Sequence, residues 1–269
     1  MTPRPEDGSY ALDGAVPSTS LDSLPAGTNL LVVGEDGHGT TDLVYRILAP
    51  APRYQECVVL VTTEQSTASH VEAYSSVLDD PDDIDHLYVV DATYSGIERE
   101  TGSLSPTRIE AASSPADVTG IGIGVTNHLR SIASDRVRLG MLSLSPVVDR
   151  LGPEQAFAFC HVMTSRVRTA DNLGLFVVDP TRHEVEHVRV LQSLVDGTFT
   201  VRRNDDGRRE IRGDRRGRRG LGVGRSRMSA YVPPTIGSVP SGPARSRDPD
   251  VTLPFKEPRL SEDQFEELA

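Results

Sequence analysis

The chain of 269 residues has no Trp, seven Tyr and six Phe, so aromatics supply only 5% of it. Hydrophobic residues reach 37%, which is lean for a globular protein and predicts that part of the chain stays outside any core. No apolar run is long enough to span a bilayer. No basic, apolar, small-residue signal opens the chain, so a cytoplasmic location is expected. Only two cysteines occur, Cys57 and Cys160, far apart and without CxxC spacing, which excludes a disulfide scaffold. Lysine is nearly absent: Lys256 stands alone among 28 cationic residues.

What the chain does have is acid. Asp and Glu total 39 and the formal net charge is −11. An Asp-rich, Arg-over-Lys composition is expected of a halophilic protein, because high salt screens the self-repulsion of net charge. Codon bias in a GC-rich genome gives the same Arg preference. The acidity argues against non-specific binding to nucleic acid or membrane.

Apolar runs and helical spacing alternate along the middle of the chain. Asn29–Gly34, Cys57–Thr63, Leu87–Asp91, Val137–Leu144 and Leu173–Val178 read as buried strands. Helical spacing covers 39–49, 67–78 and 152–170, and Asp117 is placed to cap a helix running to about Ser134. Residues 95–116 read as an irregular loop. This alternation predicts an α/β fold with a mostly parallel sheet flanked by helices. Thr198–Arg203 and Glu210–Arg212 flank Asn-Asp-Asp-Gly, which predicts a C-terminal hairpin. Residues 1–20 read as a loose leader, 21–215 as the domain, and 216–269 as an Arg/Gly/Pro-rich and then acidic tail. The last ten residues, Leu260–Ala269, form an acidic amphipathic stretch.

Gly34-Glu-Asp-Gly-His-Gly39-Thr40-Thr41 sits between a strand and a helix, where a phosphate loop belongs. Gly34, Gly39 and Thr41 fit the pattern GxxxxGK[ST], and Thr40 stands at the Lys position. Removing one such electrostatic stabiliser costs on the order of 3 kcal/mol at a transition state. Glu35 and Asp36 add repulsion: a carboxylate ~6 Å from a phosphate charge costs roughly 3 kcal/mol at an effective dielectric of ~20, before screening. Gly34, Gly37, Gly39, Thr40 and Thr41 are the candidates for any residual nucleotide contact, through backbone N–H groups at a helix N-terminus. Against them stands a plain Gly-rich strand-to-helix turn.

A metal-holding carboxylate is expected to end a buried strand. None lies between Asp135 and Asp149. Asp91 and Asp179 do end strands, although Asp in such places commonly starts a turn. Glu64 is a weak candidate for a general base.

Four segments carry a family resemblance. Leu24-Pro-Ala-Gly27-Thr-Asn-Leu-Leu-Val-Val-Gly34 resembles the entry to the loop in KaiC-like members of the RecA superfamily of ATPases. Val61-Thr-Thr-Glu64-Gln-Ser resembles their second-strand segment, where paired glutamates activate water. Ser114-Pro-Ala-Asp117-Val-Thr-Gly120-Ile-Gly-Ile and Arg138-Leu-Gly-Met-Leu142-Ser143-Leu-Ser-Pro146 resemble the stretch before the metal-binding strand and that strand itself. The motifs arrive in the family's order over residues 21–215. The resemblance implies ATP and Mg2+ as ligands and assembly into homo-oligomers. Thr40, Leu142 and Gln65 replace the loop Lys, the metal-binding Asp and the second Glu. These losses imply a pseudo-ATPase of haloarchaeal type: a signalling or regulatory module with at most weak nucleotide binding, no metal and no required cofactor, working through a protein partner or a second copy. A weak ATPase is the alternative. It needs a cation supplied in trans and a carboxylate from Asp91 or Asp179.

Two further motifs stand in the C-terminal half of the chain. His183-Glu-Val-Glu-His187 matches HExxH, but Thr181 and Glu184 form a capping-box pattern that starts an ordinary surface helix there. Residues 202–227 hold eleven Arg against four acids and leave the remaining chain near −18. Such a block can track phosphates, so nucleic-acid binding is the third reading.

Overall fold

β-branched and leucine-rich runs buried on both faces are the signature of central parallel strands, and they form the middle of the sheet here. The computed structural model describes residues 8–12, 14–16, 22–35, 39–50, 55–93, 102–203 and 209–215. In chain order the elements are β1 (Tyr10–Ala11), β2 (Ser23–Leu24), β3 (Asn29–Gly34), α1 (Thr40–Leu48), β4 (Cys57–Thr62), α2 (Thr67–Ser75), β5 (Leu87–Asp91) and β6 (Ile109–Ala111). They continue as α3 (Val118–Ser131), β7 (Val137–Met141), α4 (Ser145–Leu151), α5 (Pro153–Thr169), β8 (Leu173–Val178), α6 (Val185–Gln192), β9 (Gly197–Arg203) and β10 (Arg209–Arg215).

Eight strands form one sheet in the order β10-β9-β3-β8-β7-β4-β5-β6. Every pairing is parallel except that of β9 with β10. The fold is therefore α/β, with a mostly parallel sheet flanked by helices and a C-terminal hairpin. In the hairpin Val201 faces Ile211 and Arg203 faces Arg209. Phe199, Val201 and Ile211 are buried, while Arg202, Arg203 and Arg212 are exposed.

Successive side chains of a strand point to opposite faces, and the core divides accordingly. Leu31, Val33, Val59 and Val61 pack with Ile121 and Val125 of α3, Phe159 and Met163 of α5, and Val188 of α6. Leu30, Val32, Val58 and Leu60 pack with α1, α2, Tyr10 and Ile211 on the other face. Gly140 lets α1 approach β7, since a Cβ there would lie 2.4 Å from Leu48 Cδ1.

Several expectations are corrected. The leader is not loose throughout: Tyr10, Leu12 and Val16 are buried, and β1 pairs with β2. The reason is a fully buried cation. Arg138 of β7 donates to Ala11 O at 2.8 Å and Ile47 O at 2.6 Å, and pairs with buried Glu56 at 2.5 Å. Arg136 donates to Glu56 as well and stacks 4.3 Å from the Tyr10 ring centroid. Tyr10 closes this network from solvent, and burial pushes its hydroxyl pKa up to about 12.

The predicted loop 95–116 contains a 3-10 turn (Pro106–Arg108) and the short edge strand β6. Three residues of mixed polarity carry no periodic signal, so β6 was not legible. The single helix expected over 152–170 is preceded by a second one, α4. Gly152, at φ 80°, separates them. Asp117 does cap α3, accepting from Gly120 N at 2.8 Å, but the helix ends at Ser131. The expectations for 216–269 lie outside the described residues.

Candidate functional site

Strand order reverses at the centre of the sheet, and such a switch point opens a crevice at the carboxyl ends of the strands. From β3 the chain crosses by α1 to β4 on one side. From β8 it returns by α6 over β3 to β9. The crevice between these connections is lined by Gly34, Thr41, Thr63, Glu64, Leu142 and Arg182, with His70 and Asp179 at its edges. Its free volume among the described residues is ≈ 30 Å³.

The loop after β3 lines part of this crevice. Gly34 is required by close approach, because a Cβ would lie 2.4 Å from Thr40 Oγ1 and 3.1 Å from Val201. Gly39 adopts φ 78°, the left-handed region that favours glycine. Thr40 is 1% exposed, and its hydroxyl donates to Glu35 O at 3.1 Å. The side chain at the lysine position is thus turned back into the turn. Thr41 borders the crevice. Gly37, with Asp36 and His38, lies outside the described residues. The structure brings Gly34, Gly39, Thr40 and Thr41 together as a strand-to-helix turn.

The position that the resemblance assigns to a metal carboxylate is apolar. Leu142 extends β7, donating its N–H to Val61 O at 3.0 Å, and packs into the core on the α1 face. The two candidate acids are engaged elsewhere. Asp91 is buried and accepts from Thr67 Oγ1 at 3.1 Å, Thr93 N at 2.9 Å and Thr93 Oγ1 at 2.6 Å. Asp179 accepts from Thr181 N at 2.8 Å and Thr181 Oγ1 at 2.7 Å. Both are Asx turns that redirect the chain after a strand. Among the described residues, no lysine stands in the loop and no carboxylate follows β7 in the crevice, a donor set that does not fit ATP with Mg2+.

Glu64 is ion-paired. Arg182 Nη1 donates to Glu64 Oε1, and Nη2 of the same guanidinium donates to Asp149 Oδ2 in α4. Partial burial opposes the charge on Arg182, but its hydrogen bonds to the two carboxylates outweigh this and hold its pKa above the ordinary value. Glu64 serves here as an anchor for Arg182. Sequence reasoning missed Arg182 and Asp149, because residues 118 and 33 positions from the arginine's partners give no local signal. His70 sits behind Glu64. Its Nδ1 lies 2.5 Å from Tyr45 Oη, and burial pushes its pKa down to about 4.

The HExxH residues do not share a helix. Asp179 caps a 3-10 turn over Pro180–Arg182, and α6 starts at Val185 after Glu184. The expected start, with Thr181 as the cap, is three residues too early. His183 stands before the helix, buried, 3.7 Å from Asp149 Oδ1. Burial lowers its pKa. His187 lies inside α6. Among the described residues no three His, Cys, Asp or Glu side chains are grouped to hold a metal. Of the Arg block, Arg212 pairs with Glu210 at 2.9 Å. Residues 204–208 and 216–227 lie outside the described residues.

Fold and crevice together define a mostly parallel α/β protein with a narrow switch-point crevice lined by Thr41, Glu64, Leu142 and Arg182. Its segment from Gly27 to Val201, β3 through most of β9, matches the model of a family of unknown function (DUF7504). The chain belongs to that family. No curated protein matches it.

Proposed function

We propose that the protein is a KaiC-like pseudo-ATPase of the RecA superfamily that acts without turnover, as a signalling or regulatory interaction module. The observation that carries this reading is the crevice itself. Thr40 is folded back onto Glu35, Leu142 presents hydrocarbon where a metal ligand belongs, and Glu64 is bound by Arg182. Each would have to be undone before a nucleotide could be bound and hydrolysed. The four resembling segments, in order from Leu24 to Pro146, support the kinship. The acidic, lysine-poor composition supports a halophilic cytoplasm as its setting. No helix among the described residues is long and apolar enough to cross a membrane.

The weak-ATPase alternative gains nothing from Asp91 or Asp179, whose oxygens are taken up by turn N–H and hydroxyl groups. Nucleic-acid binding through residues 202–227 has no support among the described residues beyond the charge of the block.

The test is titration of the intact chain with Mg·ATP by calorimetry in high-potassium buffer, beside a phosphate-release assay. No heat at millimolar ligand and no release is the expected result. Micromolar affinity with turnover would overturn the reading.

A further inference from the structure

The chain carries 39 acidic residues against 28 Lys and Arg, yet two of its helices are almost without acid. All fourteen residues of α3 lack Asp and Glu, and the seventeen of α5 include only Glu154, in the first turn. Between the two helices runs a groove of ≈ 470 Å³. Its floor is Phe159 and Met163, continuous with the core. Its lips are Ile123, 56% exposed, and Val162, 49% exposed. Two large apolar side chains at this exposure, facing one another across a groove, mark an interaction site more than a solvated face.

Charge completes the groove. Arg166 reaches across from α5, donating to Gly122 O at 3.1 Å and Thr126 Oγ1 at 2.8 Å. Arg130 stands on the α3 side. Among the described residues neither guanidinium is ion-paired. In a protein of net charge −11, a groove rimmed by two cations without an ion pair among the described residues, and flanked by helices whose one acid is Glu154, is complementary to a negatively charged, apolar-striped segment.

We propose that the α3/α5 groove docks an acidic amphipathic helix of a partner protein. Leucine-type side chains at i, i+3 or i+4 and i+7 would lie between Ile123 and Val162 on Phe159 and Met163, and carboxylates would meet Arg130 and Arg166. A second copy in two-fold pairing is disfavoured, because each arginine would face an arginine. The inference rests on the reading of the chain as an interaction module, and adds the surface and the chemistry of the partner.

The experiment uses the intact chain and two synthetic helical peptides with leucine at every third and fourth position, one with Glu on its remaining faces and its twin with Lys. Fluorescence anisotropy is expected to show binding of the Glu peptide alone, weakening as salt rises. Ile123→Asp and Val162→Asp should each weaken it on the order of tenfold or more. Both positions are half-exposed, so the fold should hold, and circular dichroism with a cooperative urea transition confirms that it does. Arg130→Glu, also exposed, should reduce both affinity and salt dependence. Hydrogen exchange should slow in 118–130 and 159–166.

No binding of either peptide at millimolar concentration to a folded chain overturns the proposal. Equal binding of the twins, or a footprint elsewhere, does the same. A concentration-dependent dimer dispersed by Ile123→Asp assigns the groove to a second copy and overturns it too. ATP turnover by the intact chain would sink the non-catalytic reading while leaving the peptide result standing, so the two failures are separable.

Discussion

Arg182 holds Glu64 and Asp149 with the two terminal nitrogens of one guanidinium, tying the end of β4 to α4 across the mouth of the crevice. The pair joins segments that come together only once β8 lies between β3 and β7. Glu64, the weak candidate for a general base, is thereby an acceptor for a guanidinium.

Replacing Arg182 is accordingly expected to cost little stability and to restore no chemistry. All three side chains are roughly one-third exposed. Arg182→Ala should lower unfolding free energy by less than about 1 kcal/mol, and by less still in high salt. Urea unfolding at low and high KCl measures the difference, and phosphate release should stay at background. A loss of several kcal/mol in high salt would mean the pair is far better shielded than its exposure implies.

Thr40→Lys places a lysine where the phosphate-loop pattern has one, and should damage the fold without producing an ATPase. The side chain has 1% exposure and sits against Gly34. A longer chain must push the turn outward or overpack it, at about 1–3 kcal/mol. Leu142 and the Arg182 pair remain in place, so no turnover should appear in a phosphate assay. Thermal melts report the stability loss.

The network at the other end of the sheet should matter much more. Glu56 and Arg138 are each 1% exposed in their side chains. Glu56→Gln leaves Arg138 buried without its counter-charge, and a loss of about 3–5 kcal/mol is expected. The double variant Glu56→Leu with Arg138→Met should recover only part of that loss, since the Ile47 and Ala11 carbonyls lose their donor. A double-mutant cycle on urea transitions gives the coupling directly.

Acid should destabilise the protein through its buried histidines. His70 titrates at about 4 in the folded chain, because burial disfavours its charged form, against about 6.5 when unfolded. Between these values the unfolded state binds a proton that the folded state does not. Stability therefore rises with pH through this window and is flat above it, with a slope from His70 of up to about 1.4 kcal/mol per pH unit. His86, His128 and His183 are shifted in the same direction, each chiefly by burial, and add to the slope. His70→Gln should remove one histidine's share of it in urea unfolding across pH 4 to 7. An unchanged slope would place the acid sensitivity elsewhere.

The strands were legible because burial on both faces writes a continuous apolar run: Asn29–Gly34, Leu87–Asp91 and Leu173–Val178 end where the periodicity says they do. Local chemistry likewise marked Asp117 as a helix cap and the pairing of β9 with β10 as a hairpin. The lysine-free loop and the acid-free β7 were visible as letters, and they already weakened any case for hydrolysis. What the letters did not contain was proximity. That Glu64 meets Arg182, that Thr40 turns onto Glu35, that Tyr10 roofs a buried Glu56–Arg138 pair and that Ile123 faces Val162 over Phe159 all depend on which strands neighbour which. Side-chain ion pairs and grooves form between segments dozens of residues apart. Their energy depends on distance and burial, which packing sets and local sequence does not record.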